Sequence, residues 1–167
     1  MTGDVRPEGA QTGVFQTPEG RRRRWSDSNK RLDARQIGVA QQPVRERISA
    51  ADAVLFVTPE HNRSVPAALK NALDVGSRPY GKSAWNGKPG AVVSASPGTI
   101  GGFGANHHLR QSLVFLNMPT MSQPEAYIGG ADKLIDSEGK LTNDGTRKFL
   151  MTFMQSYAAW ISANIES

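Results

Sequence analysis

Ala53-Val54-Leu55-Phe56-Val57-Thr58, then Pro59-Glu60-His61-Asn62-Arg63-Ser64-Val65, then Pro66 leading through Ala67 to Val75 and Gly76, is the stretch that decides the fold. Its first six residues are β-favouring and apolar on both faces until Thr58, the pattern of a strand covered by helices on both sides. Pro59 ends the run. Pro66 stands where a proline opens a helix, because the N–H it lacks is one that a first turn leaves unbonded, and good helix formers follow it as far as Gly76. The reading is strand, loop, helix.

The same unit recurs downstream. Gly90-Ala91-Val92-Val93-Ser94-Ala95 is a second buried-type strand, followed by the Gly-rich loop Ser96-Pro97-Gly98-Thr99-Ile100-Gly101-Gly102-Phe103-Gly104. A helix over 105–116 sets Ala105, Leu109, Leu113 and Leu116 on one face and turns His107, Arg110 and Gln111 elsewhere. Strands alternating with helices predict a parallel sheet with right-handed crossovers, in which residues 53–58 and 90–95 are adjacent. Ligands of such sheets sit outside the carboxyl ends of the strands, so loops 59–65 and 96–104 should open on one edge and carry the chemistry.

Around this nucleus, 44–51 is a short helical pattern with Val44, Ile48 and Ala51 apolar, and Met118 to Met121 predicts a short third strand. Residues 76–88, with Gly76, Pro79, Gly81, Gly87 and Trp85, read as a surface excursion with an exposed indole. From Asp144 to Ile165 runs the strongest helix, whose stripe of Leu150, Phe153, Met154, Tyr157, Trp160, Ile161 and Ile165 is expected in the core.

The chain of 167 residues is sized for one domain, and the absence of cysteine excludes disulfides, thiolate metal sites and a cysteine nucleophile. A cytoplasmic setting is expected. No apolar run approaches the roughly 20 residues that cross a bilayer, and the first residues lack the apolar stretch of a signal peptide, so no membrane partner is expected. The net charge of +5 is unevenly placed: residues 1–50 hold 10 Lys and Arg against 6 Asp and Glu, whereas 51–167 hold 10 against 9. Arg21 to Arg24 are consecutive, but only Trp25 accompanies them and the rest of the chain is nearly neutral, which argues against a nucleic-acid surface. His107 and His108 diverge as helix neighbours and have no ligand-type residue four positions on, so no metal site is expected.

The loop Pro59-Glu60-His61-Asn62-Arg63-Ser64-Val65-Pro66, with Leu69-Lys70-Asn71-Ala72-Leu73-Asp74, resembles the P-E-Y-N-x-S-x-P-x-x-L-K-N-A-I-D signature of the NAD(P)H-dependent FMN reductases. That family includes bacterial chromate, quinone and azo-dye reductases. His61 departs from the family's tyrosine. Gly101-Gly102, His108-Leu109-Arg110-Gln111, Leu113-Val114-Phe115-Leu116 and Pro124-Glu125 are similar to its later stretches, so the resemblance runs from about Pro43 onward.

The resemblance implies an α/β, flavodoxin-like, three-layer parallel sheet, with FMN as cofactor and NAD(P)H as electron donor. It implies electron transfer to quinones, azo compounds, chromate-like oxyanions or free flavin, in a homodimer or homotetramer. Pro59, Glu60, His61 and Asn62 would form one wall of the flavin site, and Ser96, Pro97, Gly98, Gly101 and Gly102 the other, glycine letting the backbone approach a flat ring. Arg110 and Glu125 would lie near subunit contacts. The flavin carries the chemistry, so no catalytic side chain is expected.

The family opens with a strand and a phosphate loop similar to G-S-x-R-x-x-S-x-N, which holds the FMN phosphate at a helix N-terminus. The nearest fragment, Arg24-Trp25-Ser26-Asp27-Ser28-Asn29-Lys30-Arg31-Leu32, shares the Arg, Asn and Leu spacing but places Asp27 where the first serine belongs. The expectation is therefore a poorly ordered basic tract over 1–42 and a partial domain over 43–167 that lacks the first one or two strands of the sheet. The alternative function is a non-catalytic remnant that does not hold FMN.

Overall fold

A computed structural model describes residues 34–165. Its elements, in chain order, are α1 (Ala34–Ala50), β1 (Val54–Pro59), α2 (Ala67–Gly76), β2 (Gly90–Ala95), α3 (Phe103–Phe115), β3 (Ala126–Ile128), a single 3₁₀ turn (Ala131–Lys133) and α4 (Asp144–Ile165). The basic arginine cluster and the fragment containing Ser26, Ser28 and Asn29 lie outside the described residues.

The three strands form a parallel sheet in the order β1-β2-β3. Val54 pairs with Gly90 and Pro59 with Ala95, so β1 and β2 run in register over their whole length and end together. Strand periodicity then sorts the side chains into two cores. Phe56 and Val92 point to the face covered by Ile48 of α1, Leu73 of α2, and Leu109 and Leu113 of α3. Ala91, Val93 and Ala126 point to the opposite face, against Phe153 and Tyr157 of α4. Helices thus cover both faces, giving three layers. The cover is incomplete over β1: Leu55 packs into the second core, but Val57, expected to be buried, is 67% exposed because α4 lies over β2 and β3.

Several sequence expectations need correction. Helix α1 starts at Ala34 rather than Val44, with Pro43 inside it, and of Val44, Ile48 and Ala51 only Ile48 is buried. Met118 to Met121 does not form the third strand. Thr120 makes one isolated parallel bridge to Gly90, and the strand proper is Ala126–Ile128 further along the same edge of β2. In α4, Met154 and Ile165 are exposed, while Phe149, outside the expected stripe, packs toward the core. Residues 153, 157, 160 and 161 follow the helical repeat onto the sheet, and a side chain at 154 is rotated about 100° away from it.

Trp85 reverses its expectation most fully. Only 4% exposed, it packs against Phe56 with the rings tilted at 43° and their centroids 5.8 Å apart, and its Nε1 donates to the carbonyl of Leu73 at 3.0 Å. Gly76 makes this possible, since a Cβ there would stand 2.4 Å from that same nitrogen. The excursion over 76–88 is therefore a flap whose indole plugs the first core. Arg45 of α1 holds the flap down by donating to the carbonyls of Gly76, Arg78 and Lys82.

Candidate functional site

Because β1 and β2 are parallel and end in register, the loops that follow them emerge side by side at the carboxyl edge of the sheet. The first loop is a tight turn. His61 and Ser64 exchange two backbone hydrogen bonds of 2.9 Å, and Asn62 and Arg63 between them both take the left-handed conformation, with φ of 50° and 63°. Two consecutive left-handed residues are the pattern of a primed two-residue turn, tolerable for asparagine and uncommon for arginine. The turn is tied down from outside. Ser64 Oγ lies 2.7 Å from His108 Nδ1 on α3, and Glu60 Oε1 lies 3.5 Å from Arg63 Nη1. His61, Asn62 and Arg63 remain exposed at its tip.

The second loop is built from glycines and anchored from below. Ser96 Oγ accepts from the Gly98 N–H at 3.1 Å, while Gly101 and Gly102 are left-handed, with φ of 64° and 76°. A Cβ on Gly101 would fall 2.7 Å from the carbonyl oxygen of Tyr127, so glycine there answers a close backbone approach as well as a dihedral. The Ser96 N–H donates to Ile128 and the Ser96 carbonyl accepts from Ala131, fastening the loop to the segment after β3. Pro97, Gly98, Thr99 and Ile100 are exposed; Gly101 and Gly102 are buried beneath them.

Beneath this loop lies a polar ladder that sequence reasoning missed. The buried Ser94 hydroxyl donates to the Gly101 carbonyl at 2.8 Å. Asn106, fully buried, donates from Nδ2 to Ser94 Oγ and to the Ala126 carbonyl, each at 3.3 Å, and its Oδ1 accepts from Arg110 Nε at 2.9 Å. Arg110 Nη1 donates to the Met121 carbonyl at 2.9 Å, while Nη2 is buried with no partner among the described residues. The only sequence signal for the ladder was a polar Asn106 beside the buried Ala105, Leu109 and Leu113 positions of α3.

Arg110 and Glu125, expected at subunit contacts, are both half-buried, and no ion pair joins them within the chain among the described residues. Glu125 instead neighbours Tyr127. Burial, reinforced by the Glu125 carboxylate and opposed by Arg110, pushes the Tyr127 hydroxyl from its ordinary 10.0 up to about 12. His107 Nε2 lies 2.8 Å from that hydroxyl, and Phe103 packs on His107 at 4.1 Å and on Tyr127 at 5.3 Å. This aromatic cluster borders the Gly-rich loop.

Clefts of about 380 and 420 Å³ flank the two loops without being lined by their tips. The first runs between α2 and α3 past Lys70, His108 and Phe115; the second lies beside Tyr127 and Phe149. The open space that matters for a flat ligand lies above the loops. A Cβ on Gly98 would meet only Ser96 Oγ, at 3.5 Å, so the loop presents bare, exposed backbone there. Backbone edges beside a rigid turn suit a planar heterocycle with alternating donors and acceptors, and in that respect the residues fit an isoalloxazine ring. Among the described residues there is no group of three or more His, Cys, Asp or Glu placed to hold a metal ion, and no helix is long and apolar enough to cross a membrane.

A parallel three-layer α/β sheet with its candidate site on two loops at the strand carboxyl ends is the flavodoxin-like arrangement. The family model described as NADPH-dependent FMN reductase matches residues 8–133, and the chain belongs to that family. The match begins at residue 8, well upstream of Pro43, and so extends the resemblance into the basic tract. A quinone reductase of Pseudomonas putida is 64% identical over 136 residues, 81% of this chain and 73% of that protein. A 2-hydroxy-1,4-benzoquinone reductase of a Burkholderia species is 50% identical over 117 residues, 70% of this chain and 64% of its own length. Among solved structures, FerB, a flavoenzyme NAD(P)H:(acceptor) oxidoreductase from Paracoccus denitrificans, superposes with a TM-score of 0.70 at 40% identity, covering 75% of this chain and 69% of FerB. The chain thus spans roughly two thirds to three quarters of the length of these relatives.

Proposed function

We propose that this chain is an NAD(P)H-dependent, FMN-containing oxidoreductase whose electron acceptors are quinones. The observation that carries the reading is the pairing of two pre-shaped loops, 59–65 and 96–104, on one edge of a parallel sheet. Relatives at 64% and 50% identity that are named quinone reductases support the acceptor class. Azo compounds, chromate-like oxyanions and free flavin are further acceptors that an open site would admit.

In this reading Pro59, His61 and Asn62 form one wall of the flavin site, and Ser96, Pro97 and Gly98 the other. Glu60, Gly101 and Gly102 stand behind those walls and shape them. Bound there, FMN supplies the chemistry of accepting a hydride from NAD(P)H and returning two electrons to the acceptor. The protein's part is to orient. The left-handed turn presents the His61 imidazole as a stacking surface smaller than a phenol ring, and the exposed backbone N–H groups of Thr99 and Ile100 with the Pro97 carbonyl offer edge-on hydrogen bonds.

A homodimer or homotetramer belongs to the same reading. Phe115 is 81% exposed beside Val114, 76% exposed, at the end of α3, an apolar pair that a second copy would cover. Phe115→Glu should shift sedimentation toward the monomer.

The deciding experiment is the absorbance spectrum of the purified protein, followed by NADPH oxidation with 1,4-benzoquinone. Flavin bands near stoichiometric occupancy and quinone-dependent turnover support the reading. A colourless protein that takes up no added FMN would favour the non-catalytic alternative.

A further inference from the structure

Glu60 does not face the open side of the loops. Its side chain is 13% exposed, and Oε2 accepts a hydrogen bond of 3.0 Å from the backbone N–H of Ala105, 45 residues away. Ala105 lies in the first turn of α3, where backbone N–H groups lack intrahelical acceptors, and Gly102 at the cap position supplies no side-chain bond. The carboxylate therefore does the work of an N-cap from another loop, with the added attraction of a negative charge to the helix N-terminus.

Gly104 keeps the space for it. A Cβ at that position would lie 2.9 Å from Oε2 and 3.0 Å from the Arg63 carbonyl oxygen. The other carboxylate oxygen faces Arg63, one of the two left-handed residues of the turn. One side chain thus contacts the turn of the first loop and the end of the second, at the point where Gly101 and Gly102 give way to α3.

We propose that Glu60 is a positioning residue, not a flavin ligand: a brace between loops 59–65 and 96–104 that sets their separation by acting through the Ala105 N–H. Its functional consequence rests on the flavin reading above. A brace of this kind is fixed before any ligand arrives, so part of the ordering cost of binding is already met in the free protein.

The test compares wild type with Glu60→Ala, Glu60→Gln and Gly104→Ala by hydrogen exchange with mass spectrometry, alongside FMN titration by fluorescence quenching. Glutamine retains an acceptor oxygen for the Ala105 N–H, alanine at 60 has none, and alanine at 104 displaces the carboxylate while leaving it in the sequence. Faster exchange is expected in both the 61–65 and the 103–107 segments for Glu60→Ala and for Gly104→Ala, with near wild-type exchange in Glu60→Gln. FMN affinity should fall about five- to tenfold in the first two and recover in the third, as expected for a lost cap-type hydrogen bond.

Loosening of one segment alone, or a glutamine variant as poor as alanine, would overturn the brace. Wild-type FMN affinity in Glu60→Ala would overturn its role in the site. If the exchange pattern holds while wild type takes up no FMN, the brace stands and the flavin reading fails.

Discussion

The hydroxyl of Ser64 and the Nδ1 of His108 stand 2.7 Å apart and join the exposed turn at 61–64 to the outer face of α3. Asn62 and Arg63 hold left-handed conformations inside that turn, which cost non-glycine residues about 1–2 kcal/mol each unless neighbouring contacts enforce them. Ser64→Ala removes one enforcing contact. Its expected effect is a loss of about 1 kcal/mol in the turn, seen as a drop of roughly five- to tenfold in FMN affinity with little change in global stability. Fluorescence titration beside a urea melt separates the two; an unchanged affinity would mean the paired His61 and Ser64 backbone bonds suffice.

Trp85 offers a stability test. Trp85→Ala empties the first core between Phe56 and Leu73, and aromatic truncations of that kind cost about 3–5 kcal/mol. Trp85→Phe should cost less, since it keeps much of the ring, and the Leu73 carbonyl that loses the indole N–H still accepts from the Ser77 N–H. Gly76→Ala should behave like a core mutation although it adds only a methyl, because that methyl occupies the place of the indole nitrogen. Denaturant melts of the three would rank them.

Trp85 also shows where sequence reading stops. Strands β1 and β2, helix α2 and the buried face of α3 were legible because each is written locally, in a β-favouring run, a helix-opening proline or a spacing of four and three. The same alternation fixed the edge on which the two loops open. Burial of the indole depends on a glycine nine positions earlier and on Arg45 holding the flap, contacts that no local pattern announces. Strand β3 lies at Ala126–Ile128 and not at 118–121, where Pro119 lacks a ladder N–H and only Thr120 bridges to Gly90; the choice is completed by pairing with β2. At the site, the loops were readable, but the role of Glu60 and the Ser94-Asn106-Arg110 ladder arise from contacts across the sheet edge.

The pH dependence of Tyr127 has a definite sign. Its folded pKa, about 12, lies above the ordinary 10.0, so the folded state holds the phenolic proton more tightly than the unfolded chain does. The stabilisation is fully present below pH 10 and is lost as pH rises through about 12. Comparing wild type with Tyr127→Phe by thermal melts across that window should show wild type losing stability relative to the variant as pH rises from 10 toward about 12. The tyrosinate absorbance of the variant should lack one late step. Tyr157, also raised by burial, remains in both proteins and cancels in the difference.

The last prediction concerns the ladder under the Gly-rich loop. Asn106→Leu deletes the acceptor of Arg110 Nε and the donor to Ser94 and Ala126, leaving a half-buried guanidinium whose Nη2 already lacks a partner among the described residues. A stranded charge is costly, and about 2–4 kcal/mol of stability should be lost. Because Ser94 also holds the Gly101 carbonyl, exchange in the 96–102 loop should rise as well. The diagnostic step is the double variant. Arg110→Met removes the charge that Asn106→Leu strands, so the pair together should be less destabilised than the sum of the two singles, with a coupling of about 1–3 kcal/mol. Strict additivity in urea melts would mean that Asn106 and Arg110 act on the loop independently, and that Ser94 alone carries the link to Gly101.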